Sequence, residues 1–225
     1  MTCAPGNGAC SGCMTSAWSS IDYVELHCHS SFSLLDGAST PEALIARAGD
    51  LGMDALALTD HDALYGAVPF ATAARARGIR PILGAELTLE DGHHLTLLVE
   101  NDAGWRNLCT LISRARMCMP KGQAALPWAE LHHHTTGLIC LSGCRQGPVA
   151  AALLRWDRTG AFRAAKRLRE LFGPDRLWIE LQDHLRKGDG ALVANLVSLA
   201  RHLSLGYSKS TMVVKICQKA YTSHE

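Results

Sequence analysis

Two histidines one residue apart, His27 and His29, end the short apolar run Tyr23-Val24-Glu25-Leu26. Side chains alternate across a strand, so both imidazoles point to one face, close enough to clasp a single ion. Alone, such a pair also suits two imidazoles sharing a hydrogen-bonded pocket. Other metal-competent groups recur along the chain. Asp60-His61-Asp62 closes the apolar run 54–59, Glu86 lies in the run 81–89, and Cys144 ends the run 137–144. Each has a plainer reading by itself: Glu86 paired with Arg80, Cys144 a small buried apolar residue. Gathered at successive strand ends, they point together to one metal-binding site. The run His132-His133-His134 is set aside, because adjacent residues cannot all face one ion in regular structure. Cys10-x-x-Cys13 with Cys3 lacks a fourth ligand at a usual zinc spacing.

The elements that must position these groups are readable in order. After a first strand ending at His27, Ser39-Thr40-Pro41-Glu42 opens a helix, with Ser39 and Glu42 as a capping box and Gly52 as the stop. Residues 54–59 are apolar on both faces, as in a strand covered by helices. A helix over 64–77 precedes a third strand over 81–89, and 94–99 makes a fourth. Asp91-Gly92 between them allows a hairpin instead of a crossover. A helix capped by Asn101 or Asp102, with a buried stripe of Trp105, Leu108, Ile112 and Ala115, leads through a loop to the strand 137–144. Helices over 147–156 and 159–172, a strand over 177–181 and a leucine-striped helix ending near Leu203 complete the order. The alternation predicts an α/β fold, a parallel barrel or an open doubly wound sheet, and the barrel is favoured because His27, His29, His61, Glu86 and Cys144 all fall at or just beyond strand C-termini.

Length and composition agree with that. The 225 residues are 48% hydrophobic and 19% charged, enough for one sizeable core, and 22 basic against 21 acidic side chains create no overall field that advertises nucleic acid. Nine cysteines, an odd number without an even framework, suit a reducing cytoplasmic setting. No apolar run approaches the roughly 20 residues of a membrane span, and the N-terminus lacks a basic stretch followed by an apolar one, so neither membrane insertion nor export is expected. Residues 1–20, rich in Gly, Ser, Ala and Cys, are expected to form a flexible leader.

His27-x-His29-Ser30 with Asp36-Gly37, Leu58-Thr59-Asp60-His61-Asp62 with Tyr65-Gly66, Gly84-Ala85-Glu86 and Leu141-Ser142-Gly143-Cys144 together resemble the PHP (polymerase and histidinol phosphatase) domain. The likeness covers about residues 22–205 and is nearest to the N-terminal domain of bacterial C-family DNA polymerases. Leu34-Leu35-Asp36-Gly37-Ala38-Ser39 and the helix around Phe162 to Glu170 look most like the error-prone members. The resemblance implies a distorted seven-stranded (β/α)7 TIM-like barrel with a metal cluster at the strand C-termini. It implies that His27, His29 and Glu86 hold one ion, that Glu86 bridges to a second completed by His94 and Cys144, and that Asp36 and His61 serve a third. Asp60 becomes a carboxylate orienting a ligating imidazole, and His93 competes with His94. The donor mixture suits zinc or manganese, and the chemistry implied is phosphoester hydrolysis. DNA and other replication or repair proteins are the implied partners of the full-length family.

The family closes its site with Asn-Asp-x-His after the seventh strand, and no such motif follows Gly206. With Val213-Val214 as that strand, Gln218 and Ala220 occupy the aspartate and histidine positions. The last strand is therefore expected to be missing or aberrant, with the domain over 21–206 and a tail over 207–225 from truncation or a frameshift. The polymerase palm of the family has no counterpart in this chain. Two other readings stay open: a stand-alone phosphoesterase like the histidinol phosphatases, which a closing Asp-x-His motif would favour, and an inert folded fragment.

Overall fold

In the computed structural model of the protein, residues 23–117 and 119–209 are described. The leader 1–20, its Cys10-x-x-Cys13 and the run Met212 to Ile216 lie outside them.

Helix α1 (Pro41–Asp50) begins where Thr40, in extended conformation, accepts a hydrogen bond from the Ala43 N–H. The cap is thus Thr40 and not Ser39, because only the residue before the proline places its hydroxyl over the first turn. The all-buried strand β1 (Ala55–Leu58) follows, then α2 (Ala67–Ala76) and β2 (Arg80–Thr88), which runs parallel to β1. No helix separates β2 from β3 (His94–Val99). The two pair antiparallel around the turn at Asp91-Gly92, so the hairpin is realised at this point and the crossover is not.

Helix α3 (Asp102–Met117) is capped by Asn101, whose side-chain oxygen accepts from the N–H groups of Ala103 and Gly104. Its buried face is Gly104, Leu108, Leu111 and Ala115. Trp105 and Ile112 of the expected stripe are only half-buried, the face being rotated so that Gly104 meets the Gly137 backbone. A short α4 (Trp128–Leu131) leads to β4 (Leu138–Leu141), antiparallel to β3. Helices α5 (Pro148–Leu154) and α6 (Arg158–Phe172), strand β5 (Leu177–Leu181), helix α7 (Asp189–His202) and strand β6 (Gly206–Lys209) return to parallel pairing.

The strands lie in chain order, β1 to β6, and segment 23–29 extends the sheet beyond β1 through Ala57 N–H to Glu25 and Thr59 N–H to Cys28. The sheet curls into a half-barrel. Its curl returns the first segment to β5, where His27 Nδ1 stands 2.7 Å from Glu180 Oε1. The larger core packs β2 to β5 against α3, α5, α6 and α7 through Leu97, Leu111, Leu168, Phe172 and Ile179. A second core holds α1 and α2 on the other flank through Leu44, Ile45, Leu56 and Phe70.

Strand β6 runs from Gly206, where the change in character begins, to Lys209. The residues directly after it, Ser210, Thr211, Met212, Val213, Val214, Lys215 and Ile216, include no carboxylate, imidazole or thiol. Among the described residues no helix is long and apolar enough to cross a membrane.

Candidate metal centre

Glu86 is the hub. It lies on β2, is 1% exposed, and is fixed on both sides by backbone: its N–H donates to the Asp60 carbonyl and its carbonyl accepts from the Asp62 N–H. The extension of β1 carrying Asp60-His61-Asp62 therefore clamps β2 next to the carboxylate. Asp62 reinforces the clamp by accepting from the Thr88 N–H and hydroxyl.

Three imidazoles converge on one oxygen of Glu86. Oε2 stands 3.3 Å from His27 Nε2, 3.2 Å from His29 Nε2 and 3.3 Å from His61 Nε2. The other oxygen, Oε1, is 3.2 Å from His94 Nδ1. His27 Nε2 and His29 Nε2 are 3.1 Å apart. Four ring nitrogens around one carboxylate form two compact triads, His27–His29–Glu86 and His61–Glu86–His94. Ligands about 2.0 Å from a tetrahedral ion sit roughly 3.3 Å from each other, so these spacings match the edges of a coordination polyhedron. Three donors per triad also leave a position open, the pattern of catalytic sites rather than closed structural ones.

The other residues singled out by sequence are distributed around this pair. Asp36 reaches His61 Nε2 at 3.2 Å from a side chain that is 60% exposed, on the loop 30–37. Gly37 fits that loop closely, since a Cβ there would lie 1.9 Å from the Ser30 carbonyl oxygen. Cys144 lines the same cavity but stands outside both triads. Gly143, at φ 88°, folds the chain against the His94 carbonyl and so brings Cys144 in. Asp60 does not orient an imidazole directly. Its carboxylate accepts from the Ser30 N–H at 2.7 Å and the Ser30 and Ser33 hydroxyls at 2.8 and 2.6 Å. It approaches His29 only through Ser33, whose Oγ lies 3.4 Å from His29 Nδ1. Two serines of the preceding loop saturate the carboxylate before an imidazole can reach it. His94, not His93, enters the cavity; His93 pairs with Asp91 at 3.0 Å. Arg80 takes no part, and His134 faces Asn107 and Glu130 away from the cluster.

Sequence reasoning missed Glu180. Its Oε1 is 2.7 Å from His27 Nδ1, and it also accepts from Gln182 Nε2 at 2.8 Å. A carboxylate on the far nitrogen holds the imidazole with Nε2 turned inward and raises its basicity, the usual support of a metal-ligating histidine. The signal was one acidic residue inside the buried run Leu177-Trp178-Ile179-Glu180-Leu181. Glu180→Gln should weaken divalent-ion affinity about 10–100-fold while the fold persists. Titration with Co2+ or Zn2+ checks this, and unchanged affinity would remove Glu180 from the site. His184, left without a role by its sequence context, also lines the cavity, as do Arg145, Gln182 and Arg186.

Charge follows from this crowding. Burial alone would push His27 down, but the carboxylates of Glu180 and Glu86 outweigh it and hold the imidazole well above its ordinary value. Glu86 is pushed up by burial, yet His27 and the bonds from His29 and His94 hold it well below the carboxylate range. His94 is raised by its hydrogen bond to Glu86, and His61 is lowered chiefly by burial. Burial, with Glu86 nearby, pushes the Cys144 thiol up strongly, so without a cation beside it this sulfur stays protonated.

Residues 25–184 match the PHP domain family. The error-prone DNA polymerase of Symbiobacterium thermophilum is 44% identical over 201 residues, 82% of this chain and 18% of that protein. That of Mycobacterium bovis is 40% identical over 205 residues, 86% of this chain and 19% of that protein. The DNA polymerase III subunit alpha of Treponema pallidum is 37% identical over 202 residues, 82% of this chain and 17% of its own length. The chain thus spans less than a fifth of the length of these relatives. Among solved structures, an amidohydrolase from Chromobacterium violaceum with bound sulfate and no metal superposes with a TM-score of 0.54 at 19% identity, covering 83% of this chain and 85% of that one. That likeness concerns the fold, a distorted TIM-like barrel. With the motifs, the half-barrel and the family match in agreement, this chain belongs to the PHP domain family and is homologous to a stretch of the error-prone DNA polymerases.

Proposed function

We propose that the chain is the PHP domain of an error-prone-type DNA polymerase, extending over about residues 21–206, and that its cluster supports metal-dependent phosphoester hydrolysis. The observation that carries this reading is the shared carboxylate: Glu86 serves both His27–His29 and His61–His94. A carboxylate between two triads is suited to hold two divalent ions close together, with zinc or manganese favoured by the imidazole-rich donors. Asp36 and Cys144 are the proposed additional ligands at the rim. When bound, such ions supply Lewis acidity to a phosphoryl oxygen and acidify a water.

The chain's own residues do the rest. His27, braced by Glu180, and His29 define one side of the cavity, while His61 and His94 define the other. In a full-length polymerase the DNA and other replication or repair proteins would be the partners, in the cytoplasm. Polymerisation itself would reside in parts of such a protein that this chain does not span.

The test is hydrolysis of bis(p-nitrophenyl) phosphate by the purified chain loaded with Zn2+ or Mn2+. Activity that disappears with chelator and with His29→Ala supports the reading. A folded chain with two bound ions and no hydrolysis of mono- or diesters refutes catalysis and leaves a metal-stabilised structural module.

A further inference from the structure

The balanced charge of the whole chain hides one local excess. Between positions 155 and 170 stand six basic side chains, Arg155, Arg158, Arg163, Lys166, Arg167 and Arg169, against two acidic ones, Asp157 and Glu170. All eight are exposed, α6 having turned Ala161, Ala165, Leu168 and Phe172 to the core. The two acids neutralise little of the excess. Asp157 caps α6, its Oδ1 accepting from the Gly160 N–H at 2.7 Å, and Glu170 meets Lys166 at 3.9 Å between two mostly exposed side chains. Arg167 lies over the Trp128 ring at 3.9 Å. Among the described residues Arg155, Arg158, Arg163 and Arg169 form no ion pair.

Trp156 stands at the corner between α5 and α6, inside this charge. Its N–H donates to the Leu153 carbonyl and the next N–H, of Asp157, to that of Ala152, both at 3.0 Å. Such a pair of bonds ends a helix at a residue in left-handed conformation, a place that glycine ordinarily fills. Trp156 holds it at φ 63°, which its Cβ disfavours, and is nonetheless 90% exposed. The indole therefore adds little burial to the fold at a position whose backbone is better served by glycine. Further along, Phe162 presents a second partly exposed ring, 5.8 Å from that of His202. Arg158, between the two in sequence, donates from Nη2 to Asn195 Oδ1 at 3.3 Å. All of these groups lie outside the set that lines the metal cavity.

From this juxtaposition we infer that the α5–α6 corner and the exposed face of α6 form a second binding site, for single-stranded nucleic acid. Trp156 stacks on a base, and Arg155, Arg158 and Arg163 hold the flanking phosphates. An uncovered indole among guanidinium groups matches such a strand, since every base has a flat face for stacking and the backbone carries regularly spaced negative charge. An acidic peptide would engage the arginines and leave the ring without a role. An anionic bilayer would require an apolar helix face, which α6 has already buried. The site is separate from the imidazole cluster and stands whether or not that cluster hydrolyses phosphoesters.

The experiment is fluorescence anisotropy of a labelled oligothymidylate titrated with the chelator-treated chain over a range of salt, with circular dichroism on every variant. Saturable binding that falls steeply with salt is expected. Trp156→Gly should weaken it about tenfold or more, while the melting temperature stays at or above that of the parent because glycine suits the left-handed corner. Trp156→Tyr should recover most of the affinity and Trp156→Leu little, since stacking needs a ring. Arg155→Gln and Arg163→Gln should each flatten the slope of log affinity against log salt by about 0.7. Several results overturn the proposal: no saturable binding, affinity within twofold of the parent in Trp156→Gly, equal rescue by Leu and Tyr, or an unchanged salt slope in both arginine variants. Polyglutamate or anionic vesicles bound as tightly as the oligonucleotide would overturn it too.

Discussion

Glu86→Ala is expected to abolish stoichiometric metal binding altogether, whereas His94→Ala removes one ion and leaves the other. The asymmetry follows from position. Glu86 gives Oε2 to His27, His29 and His61 and Oε1 to His94, while each histidine belongs to one triad only. Losing the shared oxygens costs each site its anionic ligand and leaves like-charged imidazoles facing each other when protonated. Asp36→Ala should have the smallest effect, since its carboxylate is mostly exposed and, among the described residues, pairs with His61 alone. Elemental analysis after exhaustive dialysis, with circular dichroism to confirm folding, decides the matter. A folded Glu86→Ala chain that still carries two ions would refute the two-triad assignment.

A second large effect is a reversal in how stability depends on pH. In the metal-free chain His27 has a raised pKa, so its contribution is complete below the ordinary 6.5 and fades as pH climbs through the raised value. His94 acts in the same direction. Glu86 has a lowered pKa, so its contribution is complete above the ordinary 4.5 and is lost as pH falls through the lowered value. His61 opposes the other two imidazoles: its lowered pKa makes the fold gain stability as pH rises towards 6.5. With two raised imidazoles against one lowered, the metal-free chain should be most stable between about pH 4.5 and 6.5 and melt earlier above that window. Bound divalent ions compete with protons for the same nitrogens, so the loaded chain should instead gain stability as pH rises past 6.5. Each 1 kcal/mol corresponds to roughly 2–4 °C for a domain of this size. Melting curves at pH 5.5, 7 and 8.5 with and without chelator check the sign. Parallel pH trends in the two forms would refute the proposed linkage.

The parts of the site legible in sequence were those that depend on local rules. His27 and His29 share a face because strand side chains alternate, and His61 and Glu86 lie near strand ends bounded by recognisable turns. The residues that stayed hidden depend on tertiary closure. Glu180 looks like an anomaly in an apolar run until the sheet curls and places it against His27, 153 residues away. Asp60 read as a partner for an imidazole because its neighbour is His61, but the serines of the loop 30–33 reach it first. The antiparallel hairpin was one of two options, since a turn at Asp91-Gly92 is compatible with either until β4 pairs with β3. The strand Gly206-Tyr207-Ser208-Lys209 was not expected, because it is polar and short, and only pairing with β5 gives it a partner.

The hairpin also bears on the order in which the centre is assembled. Glu86 and His94 are eight residues apart and are joined by a turn, whereas His27 must find Glu180 across most of the described chain. Closing the longer loop costs more entropy and depends on the whole sheet having curled. The half built on β2 and β3 should therefore exist as soon as its hairpin packs against β1, and the His27–His29 half should mature last. In refolding followed by a spectroscopically active ion such as Co2+, one site would fill in an early phase and its neighbour in a late one. A single phase for both would mean that the barrel closes before either half can hold a cation.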